Sequence, residues 1–367
     1  MPRITEHTGS GAADRDLLSR HLTVVWIVLT IYGCLYPFSG WRGDAVAPFA
    51  YLNFDWPYYW TTFDIVINVL VYMPLGFFAV LAAMGRFPGS RALALAVFLG
   101  ADLSFVIETL QNWLPSRVAS NLDLACNTAG TFLGGLFALW AGPRYRAVWR
   151  LWRQRLLAPL PHADLGLTFL GLWLLLQLSP EIMLFGVGDL RHSLDLITLE
   201  YGPRRYRVSE TAVIFCNLIA VGLFVSVLTR GRWRSFLTVP LFFLLAGFVR
   251  ALGAAVLAGP ENGLAWLTLG ARHGLAMGAI TLTLLLLFPL RWRLGFSVLA
   301  LLAGAVLVNL TPLNPYSTIA LELWRRGHFL NFNGLTRWMA IIWPFAAWPY
   351  LAWLFFHVRK RRDMLAK

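Results

Sequence analysis

The sequence predicts an all-α, polytopic transmembrane helical bundle of about ten spans, with both the N-terminus and the C-terminus cytoplasmic. Three observations carry that prediction. Hydrophobic residues make up 58% of the chain and charged residues only 13%, a balance foreign to soluble globules. Apolar segments close to the roughly 20 residues that cross a bilayer recur along the whole chain. Taking the N-terminus as cytoplasmic, 20 of the 31 Lys and Arg residues fall on cytoplasmic ends and loops, as the positive-inside rule requires. The net charge of +13 then reflects topology and attraction to anionic lipid. Because the basic residues are scattered over short segments, it does not indicate nucleic-acid binding.

Taken in order, residues 1–21 form a polar cytoplasmic tail, and 22–38 is the first span. No small-residue cleavage site follows it, so it reads as retained. Segment 39–61 is dense in Trp and Tyr, which suit the membrane–water interface. Spans follow at 62–85, 91–113 and 121–141, closing a four-helix unit over 22–141. Residues 142–163, with Arg144, Arg146, Arg150, Arg153 and Arg155, form a basic cytoplasmic loop. Further spans lie at 164–180, 209–229, 236–258 and 264–288, giving a degenerate second unit over 164–288. Two additional spans, 294–311 and 337–357, complete 289–357 with a long outer loop, and 358–367 is a basic tail. The long outer loops, 181–208 with Asp189, Arg191 and Asp195 and 312–336 with Glu322, Arg325 and Arg326, are candidate functional segments.

A weak internal repeat supports the division. Asn68 resembles Asn217, and Gly130 and Gly134 resemble Gly274 and Gly278. The three cysteines, Cys34, Cys126 and Cys216, show no metal or redox spacing and read as small apolar fillers.

Chemistry concentrates in 64–127. Asp64 with Asn68, Glu108 with Gln111, and Asp123 with Asn127 stand three or four residues apart, so each pair shares a helix face. At about 1.5 Å per residue all six lie near the outer end of their spans, beside Arg117 in the connecting turn. Intramembrane carboxylates are costly and mark candidate sites. Pro74 interrupts the backbone ladder of its helix, and Gly76, Gly130 and Gly134 allow close helix approach. A second cluster, Asn217, Arg250, Arg272 and His273, is cationic and suits a phosphate or carboxylate.

The three carboxylates beside one arginine admit three readings. They can fix helix packing, receive a ligand headgroup, or perform acid/base work. In the last case the cluster can also hold a divalent cation through oxygen ligands; no other cofactor is expected. There is no phosphate-binding glycine loop, no zinc-protease motif and no nucleophile–histidine spacing.

The ordered set DIVINVLVYMPLGFF (64–78), IETLQNWLPSR (107–117) and NLDLACNTAGTFLG (121–134) resembles the VanZ-like family of bacterial membrane proteins. Later stretches, NLTPLNPYS and FLNFNGLTRW, resemble C-terminal extensions of some members. Ser120-Asn121 stands where many relatives carry another acidic residue. The resemblance implies a multi-pass protein of the bacterial cytoplasmic (inner) membrane with an envelope role, through the family's association with low-level teicoplanin resistance. The leading expectation is a non-enzymatic factor that binds a lipid-linked or amphipathic molecule, such as an envelope precursor, with membrane lipids as partners. A membrane-embedded enzyme acting on a lipid-phosphate or glycan carrier is the alternative, and a proton-coupled transporter the second alternative.

Overall fold

The computed structural model describes residues 10–43, 47–53, 61–179, 182–191, 194, 200–312 and 330–365. Among them are ten α-helices and no strand. They are α1 (Ser10–Leu35), α2 (Thr62–Ala83), α3 (Gly89–Gln111), α4 (Asn121–Leu156), α5 (Ala163–Leu176), α6 (Pro203–Leu228), α7 (Arg232–Ala258), α8 (Leu269–Leu285), α9 (Leu290–Leu310) and α10 (Leu330–Leu365). Each expected span coincides with one helix. Eight of the ten are long and apolar enough to cross a membrane; α5 and α8, at 14 and 17 residues, are shorter. At 1.5 Å per residue, α5 extends about 21 Å, less than the ~30 Å hydrocarbon core. The chain is thus an all-helical, multi-pass membrane protein.

It divides into two compact units, residues 1–153 and 154–367. In the first, α1 packs on α2 and α3, and α2 on α3. The tightest seam lies between α2 and α4. A Cβ added at Gly130 would run into the carbonyl of Val69, one at Gly134 into that of Met73, and one at Gly76 into that of Thr131. Glycine is therefore what lets these two backbones touch. Gly100 of α3 similarly meets the Thr131 side chain. α2 continues through Pro74, which removes one backbone donor without ending the helix.

The basic stretch after 141 is not a loop. α4 runs through Pro143 to Leu156, and only 157–162 connect it to α5. Residues 144–155 therefore extend a helix beyond its apolar part, with Trp140 and Trp152 exposed as interface anchors.

The second unit is organised around α6, where residues 217–228 are buried without interruption. A helix apolar on every side belongs inside a bundle, and α5, α7, α8 and α9 pack against it. α9 is its most extensive neighbour, and α10 packs on α9 and α5. The two expected additional helices are thus part of this unit's core. Trp173, Phe185, Phe242 and Phe243 form an aromatic cluster within it. Gly274 and Gly278 of α8 meet Thr211, Ile214 and Leu218 of α6, matching the way Gly130 and Gly134 of α4 meet α2. Of the candidate outer-loop residues, Asp195, Glu322, Arg325 and Arg326 lie outside the described residues, as does most of the NLTPLNPYS stretch. Arg191 is fixed by Asp189 at 2.6 Å and by the Thr311 carbonyl.

Candidate functional site

Two helices of the first unit begin with a capping box, or its half, at one end of the bundle. Thr61 precedes α2, accepting from the Asp64 amide at 3.1 Å while the Asp64 carboxylate accepts from the Thr61 amide at 3.1 Å and hydroxyl at 2.7 Å. Ser120 precedes α4, its Oγ accepting from the amides of Leu122 and Asp123 at 3.2 and 3.3 Å. Both are Ser/Thr-x-x-Asp patterns, a helix-start signature. The sequence therefore holds a local reason for two of the three carboxylates, Asp64 and Asp123.

The remaining side chains tie the helices together at the same end. Asn68 donates to Asp123 Oδ1 at 2.7 Å, joining α2 to α4. Glu108, only 3% exposed, accepts the Ser120 amide at 2.9 Å. Gln111 donates to the Cys34 carbonyl at 3.1 Å, and Arg117 to the Gly33 carbonyl at 3.1 Å. One turn deeper, Asn127 donates to Ser104 Oγ at 2.9 Å. All seven predicted residues thus lie in one end region; Asn68 and Asp123 bond to each other, and the other five are held by neighbouring backbone or hydroxyl groups. Arg117 forms no ion pair with the carboxylates among the described residues; it caps α1.

That placement has an electrostatic logic. Asp64 stands in the first turn of α2 and Asp123 in that of α4, where the helix dipole favours negative charge. Glu108 binds a backbone amide at the start of α4. Arg117 meets a carbonyl in the last turn of α1, where positive charge is favoured. Asp64 and Glu108 are both within electrostatic reach of Asp123.

Described residues of the aromatic segment 39–61 also pack on this end. Tyr51, 1% exposed, reaches the Thr109 hydroxyl at 3.3 Å and the Phe105 carbonyl at 3.4 Å. Phe49 stacks on Phe105, Asn112 donates to the Pro48 carbonyl, and Arg42 donates to that of Trp113. Burial pushes the Tyr51 phenol above its usual pKa; the Thr109 hydrogen bond opposes this, and the Glu108 charge adds to it.

After these bonds the cluster is rich in unused acceptors. One oxygen of Glu108 and one of Asp123 have no protein donor among the described residues, and the buried Asn127 Oδ1 has none either. Asn68 and Gln111 each give one amide hydrogen to the protein. No group of three or more His, Cys, Asp or Glu positioned to hold a metal ion occurs among the described residues. Beside the cluster, Phe98, Ala101, Asp102 and Phe105 of α3 and Leu124 and Thr128 of α4 line an open groove.

The second cluster is not assembled. Arg250, 4% exposed, donates to the carbonyls of Ser179 and Ile182. Asn217 is buried against Gly304 and donates to the Val213 carbonyl. Arg272 and His273 are exposed on α8, and no hydrogen bond joins any two of the four. The buried polar contact that does form is between Glu210 and Thr268, 2.8 Å apart; Thr268 also caps α8 through the Ala271 amide. Glu210 thus sits at a Thr-capped helix start much as Glu108 sits at a Ser-capped one, a counterpart the linear repeat did not reveal.

No curated protein matches the chain, and no solved structure does. A family model described as VanZ/LLP1 matches residues 21–142. That range spans α1 through the apolar part of α4 and contains every residue of the end cluster. The N-terminal unit of this multi-pass membrane protein is therefore a VanZ-like domain.

Proposed function

We propose that the VanZ-like unit receives the polar head of a lipid-linked or amphipathic molecule at the outer face of a bacterial cytoplasmic membrane. In that role it acts as an envelope factor that alters susceptibility to a glycopeptide such as teicoplanin. The observation that carries this reading is the set of acceptors at Glu108, Asp123 and Asn127 that no protein donor meets among the described residues, while Asn68, Gln111 and Arg117 each already give one bond to the protein. Such a surface selects a head that donates: hydroxyls of a sugar or an ammonium group. The groove between α3 and α4, with Phe98, Phe105 and Leu124 in its walls, offers an apolar bed for the attached chain.

A second reading has its own support. Each charge faces a helix end of opposite polarity, so the cluster also serves as a packing device that fixes α1, α2 and α4. Native mass spectrometry of detergent-extracted protein separates the two. On the ligand reading, Glu108→Gln with Asp123→Asn loses a co-purifying lipid carried by the wild type, while thermal unfolding changes little. An unchanged lipid profile with lowered stability would leave only the packing role.

A further inference from the structure

At the opposite end of the first unit, α1, α2 and α4 enclose a small cavity lined by Leu18, Ser19, Leu81, Tyr145, Arg146 and Trp149. Two of these residues carry a buried donor that meets no acceptor, Nη2 of Arg146 and Nε1 of Trp149. Arg146 makes no ion pair and no hydrogen bond among the described residues. A guanidinium does not shed its proton in a protein, and Trp Nε1 can only donate. The two buried donors therefore call for an acceptor, and because one of them belongs to a guanidinium, an anionic acceptor is favoured.

Depth narrows its source. Arg146 lies 25 residues beyond the start of α4 at Asn121, or about 38 Å along the axis, past a ~30 Å hydrocarbon core and at headgroup level. Exposed Trp140 and Trp152 flank it on the same helix, as interface anchors do. The space admits roughly one water-sized group, which matches a single phosphate oxygen in size.

We propose that this cavity binds a phosphate oxygen of an anionic phospholipid in the leaflet at the basic end of α4. Arg146 and Trp149 donate to that oxygen together. This site is separate from the end cluster and uses none of its residues.

The test is native mass spectrometry of the full-length protein titrated with phosphatidylglycerol or phosphatidylcholine. Arg146→Gln and Trp149→Phe, which keeps the ring and removes its donor, should each weaken the tightest phosphatidylglycerol binding by about tenfold, some 1.4 kcal/mol. Arg144→Gln should stay within about twofold, because Arg144 is exposed and lies over the Trp140 ring, where a surface charge contributes little. Equal losses for Arg146→Gln and Arg144→Gln would show diffuse attraction and overturn the proposal. So would an unaffected Trp149→Phe, or wild-type binding no tighter for phosphatidylglycerol than for phosphatidylcholine. Millimolar inorganic phosphate that displaces the lipid completely would overturn the lipid source in favour of a free anion. Should Arg146→Gln fail to fold, Trp149→Phe alone decides.

Discussion

Gly134→Ala puts a methyl group where the α4 backbone rests on the Met73 carbonyl of α2. A carbonyl cannot rotate away as a side-chain tip can, so the helices must separate, by on the order of 1 Å, and such overpacking costs roughly 1–3 kcal/mol. The Asn68–Asp123 bond at 2.7 Å spans the same two helices. Lengthened by that amount it passes out of hydrogen-bond range, with a further loss of about 1.5 kcal/mol for a bond to a charged acceptor. Together these give a destabilisation of roughly 2.5–4.5 kcal/mol. Reversible unfolding in mixed detergent–SDS micelles reads it. Gly33→Ala is the reference, because a Cβ there meets nothing within 4 Å. If the two variants unfold at the same SDS fraction, the close-contact reasoning is wrong.

Other perturbations address the remaining elements. Ser120→Ala removes the cap of α4 and should cost about 1 kcal/mol in the same assay, with Ser120→Asn restoring most of it. Arg117→Gln should cost no more than about 1 kcal/mol, since the side chain is half-exposed and donates to a carbonyl with no carboxylate partner; a loss above 3 would reveal a hidden ion pair. Glu210→Leu should destabilise the second unit by roughly 1–3 kcal/mol by stranding the Thr268 hydroxyl, whereas Glu210→Gln keeps an acceptor and should be nearly neutral. For Tyr51 the folded protein holds the neutral phenol, so its contribution is fully present below the ordinary phenol pKa near 10 and declines as pH rises through the raised folded value. Tyr51→Phe should therefore flatten part of the stability loss above pH ~10, as followed by near-UV circular dichroism.

What was legible in the sequence follows from periodicity. The carboxylate–amide pairs show because spacing of three or four on apolar segments fixes both face and depth, and the structure brings Asn68, Glu108, Gln111, Asp123 and Asn127 to one end of the unit. Gly76, Gly130 and Gly134 were readable for the same reason. The destinations of long side chains were not. Arg117 chose the Gly33 carbonyl at the end of α1 over nearby carboxylates, a choice set by tertiary geometry. Arg250 likewise found the Ser179 and Ile182 carbonyls beyond the end of α5. The Ser/Thr-x-x-Asp patterns at Thr61 and Ser120 are local helix-start signals that also place Asp64 and Asp123. The run of arginines after 141 reads as a loop, yet α4 continues through it and past Pro143, because a polar helical stretch can emerge into the headgroups.

The α2–α4 seam implies unequal freedom among the helices around the cluster. Two backbones that touch at three glycines can neither slide nor part without breaking contact along their whole interface, so α2 and α4 make a fixed frame. By contrast, α1 is latched to the cluster by Gln111 and Arg117, two side chains that grip its last carbonyls and can rotate off them. At this end of the unit the hold on α1 is therefore the part that side-chain rotation alone can loosen, whereas α2 and α4 come apart only if their backbones do.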